Sequence, residues 1–522
     1  MTTTLFRLTA RLASSAVIAW PAAAAARPMV PVFAPSPEPI ARDGSCTAIT
    51  GDARAVLARA EQAAGIPRVG NRVLRYEFSD DISQAYQSDR PYPPYLTLQW
   101  GGMFYVDPAS RVQRLEERGF GFGHHAERPF TLIHGEQSTY VVLDTGLVPN
   151  TRGHALSLRS RPLDAWTVIE DWRAASDARV VARCTYRDYP RLVLERRTPL
   201  GPERLFVDPG SGLPVKLDRE EHQYLWGQAH AEYVWTNWKL FDGVSVPVAA
   251  FRVLDGEVEI ARSVGPLALV PRDSAPSLAL PAGAPVMPVR GPAPPPSDTV
   301  RLGASTFLLA NLAYSNVITL QRDTVWVLDA QMGEERARQD AAWIARVFPG
   351  HHPVALVVSD LAWPHIAGVR YWVARGATVY SRPTSEAFLR RVIARRWTLE
   401  PDTLERVRRE HPAAARLRFR AVRDSLRLAG GALTLYAIDG LGSEGALMAW
   451  LPESHFLYAG DYVQSVDAPT TYANEVIAAA RRAGLAPDRV AAMHLPVTPW
   501  STVLSANESG GKDGGRKDGG RR

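Results

Sequence analysis

Between Ser274 and Asp298, eight of the 25 residues are proline, and alanine is the next most frequent. Proline fixes its own φ and has no N–H to donate, so such a run can neither continue a helix nor sit inside a sheet. The stretch is expected to be a semi-rigid linker over residues 274–298, and a boundary between two domains. It divides a chain of 522 residues into two parts, each long enough for a core of its own.

The part before it, residues 46–273, reads as mostly strand. One helix is expected over Asp52 to Ala64, where apolar residues recur at helical spacing until Gly65-Ile66-Pro67 stops them. Alternating, aromatic-rich runs follow at Val73–Phe78, Tyr95–Val106, Thr131–Val142, Arg191–Arg197, Glu203–Val207 and Ala231–Leu240, separated by turns such as Asp208-Pro209-Gly210-Ser211-Gly212. The piece from Leu205 to Leu217, with Tyr233 to Trp238 after it, resembles the antiparallel sheets of periplasmic lipoprotein carriers. That resemblance implies an apolar concavity for a lipid or acyl chain, while the same aromatic residues serve equally well as ordinary core. The pair His124-His125 has no partner at metal-ligand spacing and is expected in a surface loop.

After the linker, residues 299–503 alternate strands with helices, the pattern of a layered α/β domain. Its centre is Val357-Val358-Ser359-Asp360-Leu361-Ala362-Trp363-Pro364-His365-Ile366-Ala367-Gly368. A short apolar strand ends there in an acid, a proline, a histidine and a glycine, and strand ends are where α/β proteins place their chemistry. An insertion from Thr384 to Ala415 reads as helical. A polar, glycine-rich tail over residues 504–522 is expected to be disordered.

The central stretch resembles the signature T-H-x-H-x-D-H-x-G-G of the metallo-β-lactamase superfamily, with Ser359 in the Thr place, Asp360 and Ala362 in those of the first two His, Pro364 in that of the Asp, and His365 in that of the last His. Further landmarks agree in order: Ser315-Asn316, Val327-Leu328-Asp329, Leu451-Pro452-Glu453, Ala459-Gly460-Asp461 and a final strand ending in His494. The resemblance implies an αββα sandwich and a site for one or two ions, usually zinc. His365, Asp461 and His494 keep their ligand positions, with Asp461 the ligand shared between ions in active members. Asp360 is a replacement able to ligate through oxygen or act as a base, and Glu444 is a further oxygen donor nearby. Ser443 stands in the place of the middle His, and Ala362 and Pro364 cannot ligate at all. At most one zinc is therefore expected, on His365, Asp461 and His494.

The formal charge of +6 resides largely in the two ends, and removing them leaves +2, too little for a nucleic-acid-binding face. Residues 1–26 carry Arg7 and Arg11, then an apolar stretch, then Ala22 to Ala26, the order of a secretory signal peptide. Pro21 and Arg27 cut that stretch short of a membrane span, so no transmembrane segment is expected in the mature chain. A proline-rich lead covers residues 27–45. The protein is expected to be periplasmic or secreted, and its two cysteines, Cys46 and Cys184, are expected to pair. Two functions follow. One is an exported protein with a degenerate metal site, weakly active or inactive, that binds a small molecule or lipid or supports the other domain. The alternative is a single-zinc hydrolase of ester, lactone or thioester bonds.

Overall fold

The computed structural model describes residues 44–83, 95, 97–119, 130–134, 139–143, 146–149, 161–223, 227–287, 298–311, 314–440, 444–466 and 471–513. The segment read as a signal peptide, His124-His125, Ser443, part of the proline-rich stretch and the end of the tail lie outside these residues.

The N-terminal half is organised on one 14-stranded sheet in which every pairing is antiparallel. Most strands pair with their neighbours in sequence. The exceptions close the order: Glu257–Pro271 returns to pair with Arg72–Ser83, and Cys46–Ala48 pairs with Arg179–Tyr186. In that last register Cys46 faces Cys184, and the two form a disulfide. Thr131–Val142, expected as one run, is a hairpin of Phe130–His134 and Thr139–Leu143.

Two helices cover one face of this sheet. Ala53–Ala64 was expected, and it starts on the Asp52 side chain and stops at Gly65 in the left-handed conformation. Ala165–Ala174 was not, because Trp, Thr, Val and Ile favour strands. Its signal was the cap, since Asp164 accepts from the Thr167 N–H at 2.9 Å. Leu57 and Trp172 pack against Leu205, Leu217, Tyr233 and Trp235, while Trp166 packs against Tyr76, Phe104 and Val244. On the buried strands beside them lie ion pairs, Arg252–Glu221 at 2.6 Å and Arg262–Asp80 at 2.7 Å. Charges out of water persist only when paired in this way.

The C-terminal half has four layers. Tyr314–Gln321, Thr324–Leu328 and Val354–Val357 belong to a seven-stranded sheet, Leu433–Ala437, Leu447–Leu451 and Phe456–Tyr458 to a six-stranded one. Side chains alternate between faces along a strand. Val317, Trp326, Leu328 and Val357 therefore meet Leu435, Leu447, Phe456 and Tyr458 between the two sheets. The alternate residues Ile318, Val325, Val327 and Leu356 turn outward, under the helices Glu334–Val347, Val369–Ala374 and Glu386–Ala394. On the far side, Met448, Leu457 and Val490 lie under Thr471–Arg482 and Trp500–Asp513. This last helix runs ten residues past the expected domain end at 503, because Val503 and Leu504 still pack on that core.

The halves meet where the strand Gly227–Phe241 abuts the segment after Glu386–Ala394. Gln228 N–H donates to the Arg396 carbonyl at 2.7 Å, Arg395 pairs with Asp255 at 2.5 Å, and Trp397 meets His222 edge-on at 5.1 Å. A Cβ on Gly227, whose φ is +69°, would lie 2.3 Å from the Arg396 oxygen, so only glycine permits this approach. Among the described residues no helix is long and apolar enough to cross a membrane.

Candidate functional site

The parallel strands Thr324–Leu328 and Val354–Val357 end side by side, and the residues that leave them form the site. Asp329 follows the first strand at φ +72°, a conformation that Asp and Asn adopt more readily than most residues. Its carboxylate is fully buried and accepts four hydrogen bonds: from Ser359 N–H at 2.8 Å, the Ser359 hydroxyl at 2.7 Å, the Tyr458 hydroxyl at 2.7 Å, and His365 Nδ1 at 2.8 Å. Behind it, Arg336 is held by Asp340 at 2.8 Å and by the Asn316 side-chain oxygen at 2.8 Å.

The second sheet supplies the opposite wall. Gly460 and Asp461 follow Phe456–Tyr458, and His494 follows Arg489–Ala491. Two cross-sheet bonds fix these turns: Leu447 N–H to the Ser359 carbonyl at 2.9 Å, and Ser315 N–H to the Met493 carbonyl at 2.8 Å. Gly460 faces Ser359 so closely that a Cβ there would lie 2.6 Å from the hydroxyl oxygen.

His365 is buried completely. Burial alone would drive its proton off, but Asp329 in contact, with Asp360 and Asp461 nearby, raises its pKa to about 9. At neutral pH it is an imidazolium. Its Nδ1 is engaged by Asp329, and its Nε2 is buried without a hydrogen-bond partner among the described residues. Asp360 is equally buried. Loss of solvent and the nearby Asp461 push its carboxyl up to about 6, against the opposing pull of His365, the Ala362 N–H and Tyr462. Asp461 and His494 approach to 3.4 Å at a half-buried rim, where the His494 ring lies 5.0 Å from Tyr314. Burial and Asp461 raise the Tyr314 hydroxyl pKa.

The structure thus brings Asp461 and His494 together, and sets His365 and Asp360 close enough to Asp461 for their charges to interact. The Glu444 carbonyl accepts from the Thr384 hydroxyl at 3.1 Å. Ala362 and Pro364 are buried beside the site and bring no donor. Among the described residues no three His, Cys, Asp or Glu side chains are grouped so as to hold an ion. Two residues of the site had no role assigned from sequence: Asp329, the counter-charge to His365, and Tyr458. Asp329 was legible as a strand-end acid; Tyr458 looked like one more apolar strand residue.

No family model matches the chain, and no curated protein does. Solved structures that it is similar to include metallo-β-lactamases. The DIM-1 metallo-β-lactamase is 11% identical over 41% of this chain and 97% of its own, with a TM-score of 0.33. The enzyme from Hirschia baltica is 12% identical over 40% and 96%, at 0.31, and that from Erythrobacter litoralis 15% identical over 41% and 96%, at 0.31.

Proposed function

We propose that residues 299–503 are a metallo-β-lactamase-type module in which a buried ion pair has taken over the structural role of the metals, and that the chain is a binding or supporting protein, not a two-metal hydrolase. One observation carries this reading. The Asp329 carboxylate is saturated by Ser359, Tyr458 and His365, so the histidine at a retained ligand position already has a full counter-charge from the protein itself. A two-ion mechanism needs imidazole or carboxylate donors where this chain has Ala362 and Pro364, and the chemistry of bridging-water activation has no residues here to support it.

A single zinc is the second reading, and one atom favours it. His365 Nε2 is buried without a partner while its Nδ1 is held by a carboxylate, the arrangement in which metal-ligating histidines are usually held. On that reading Asp461 and His494 would complete the set, with Asp360 beside them. Zinc titration followed by calorimetry separates the two. The first reading expects no tight site, and the second expects one equivalent that is lost in His494→Ala.

We further propose that the protein is exported to the periplasm or beyond. The order of charge, apolar run and small residues over 1–26 supports this, as does a Cys46–Cys184 bond of a kind that persists in oxidising compartments. N-terminal sequencing of the protein from its native host tests it: a start between Ala23 and Pro28 is expected, and an intact Met1 on soluble protein would contradict it.

A further inference from the structure

Where the two halves meet, an open cleft of about 710 Å³ adjoins a smaller cavity of about 150 Å³. The larger has the size of a small-molecule site, and junctions between domains are where such sites concentrate. Asp255, Arg391 and Arg395 belong to the walls of both.

Three arginines line the cleft, and two of them are taken. Arg395 pairs with Asp255 at 2.5 Å, and Arg396 with Glu405 at 2.6 Å. Arg391 has no ion-pair partner among the described residues. Its guanidinium lies 5.7 Å from the centre of the Phe388 ring. It stands where the two cavities join, with its charge unpaired among the described residues. Past it, the smaller cavity is lined by Leu254, Val258 and Phe388, with Glu259 already claimed by Arg252 and Glu257 exposed.

The wall that carries Arg391 is fixed before any ligand arrives. Arg370 donates to the carbonyls of Val392, Ile393 and Arg395 at 2.9, 3.0 and 3.0 Å, and is itself held by both oxygens of Asp402. The lock at Gly227 fixes the opposite wall against Arg396 and Trp397.

We propose that this cleft binds a small amphipathic carboxylate, its head on Arg391 and its chain against Leu254, Val258 and Phe388. A planar guanidinium pairs with a carboxylate through two parallel N–H donors, which gives the head its orientation. The inner cavity would hold about five water-sized groups at roughly 30 Å³ each, which suits a short chain and is too small for a lipid tail.

The test uses the full-length mature protein and sodium hexanoate as probe, with binding followed by calorimetry and by ligand-observed NMR. Hexylamine carries the same chain with the opposite charge, acetate removes the chain, and inorganic phosphate offers an anion alone. Hexanoate is expected to bind saturably with a Kd of about 1 mM, in the range a ligand of this size sustains. Acetate, phosphate and the exposed-site variant Arg391→Gln are each expected to be about tenfold weaker, and hexylamine is expected not to bind. Phe388→Ala is expected to weaken hexanoate while leaving acetate unchanged. Unchanged hexanoate binding in Arg391→Gln, equal binding of hexylamine or of phosphate, or no saturation by about 10 mM hexanoate would each overturn the proposal.

Discussion

Replacing Asp329 with Asn changes one atom and removes one charge at the centre of the site. The backbone should not object, because Asn tolerates the positive φ of +72° found there. The side chain should. One oxygen of the carboxylate accepts from Ser359 N–H, and the other from Ser359 Oγ, Tyr458 and His365. An amide has one acceptor oxygen, so either orientation turns its NH2 toward a buried donor. Hydrogen bonds to a charged group are worth about 1.5–3 kcal/mol, and stripping a buried ion pair of one partner costs about 3–5 kcal/mol. A loss of about 3–5 kcal/mol is expected, a large share of the roughly 5–15 kcal/mol that holds a domain folded. Urea unfolding of wild type and Asp329→Asn at pH 7.5, followed by tryptophan fluorescence, measures it. A loss under about 1 kcal/mol would mean that the network is not holding the site together.

Asp360 is the opposite case. Its carboxyl, raised to about 6 in the folded protein, costs nothing below about pH 4, and the cost builds as pH rises from there and is full above about 6, so Asp360→Asn should stabilise the protein by about 1–3 kcal/mol at pH 7.5 and by little at pH 4; a less stable variant at pH 7.5 would contradict this. His365 and His230, both raised to about 9, the latter by bonds to Asp218 against the effect of its partial burial, contribute stability that is full below pH 6.5 and lost as pH climbs through 9. Chemical unfolding across that window should show a decline, and a flat profile would refute it. Gly227→Val should cost about 2–4 kcal/mol from the positive φ and the clash with Arg396, and should split calorimetric unfolding into two transitions; a single unshifted transition would show that the lock at Gly227 does not couple the halves.

Strand-and-helix order in the C-terminal half was legible because periodicity and termini agree. Gly333 precedes the helix Glu334–Val347 and Gly368 precedes Val369–Ala374, so both starts are marked in the residues themselves. Ala165–Ala174 was not, since its β-favouring residues contradict its cap and tertiary packing settled the matter. At the site, residue type alone marked His365, Asp461 and His494 as candidates, but not what each of them touches. The Asp329–His365 pair could not be read that way, because it joins residues 36 apart whose meeting depends on two parallel strands ending together. The same holds for the cleft at Arg391, whose walls come from segments on both sides of the proline-rich stretch.

The zinc content of the native protein tests the central claim most directly. The mature chain, purified without chelators and dialysed against trace zinc, would be assayed by elemental analysis alongside a thermal scan before and after EDTA. No tightly bound zinc is expected, with a melting temperature that EDTA leaves unchanged, because the ion pair alone organises the site; one equivalent would favour the single-zinc reading. Near two equivalents, with a melting temperature that falls on chelation, would contradict it and restore a two-metal hydrolase.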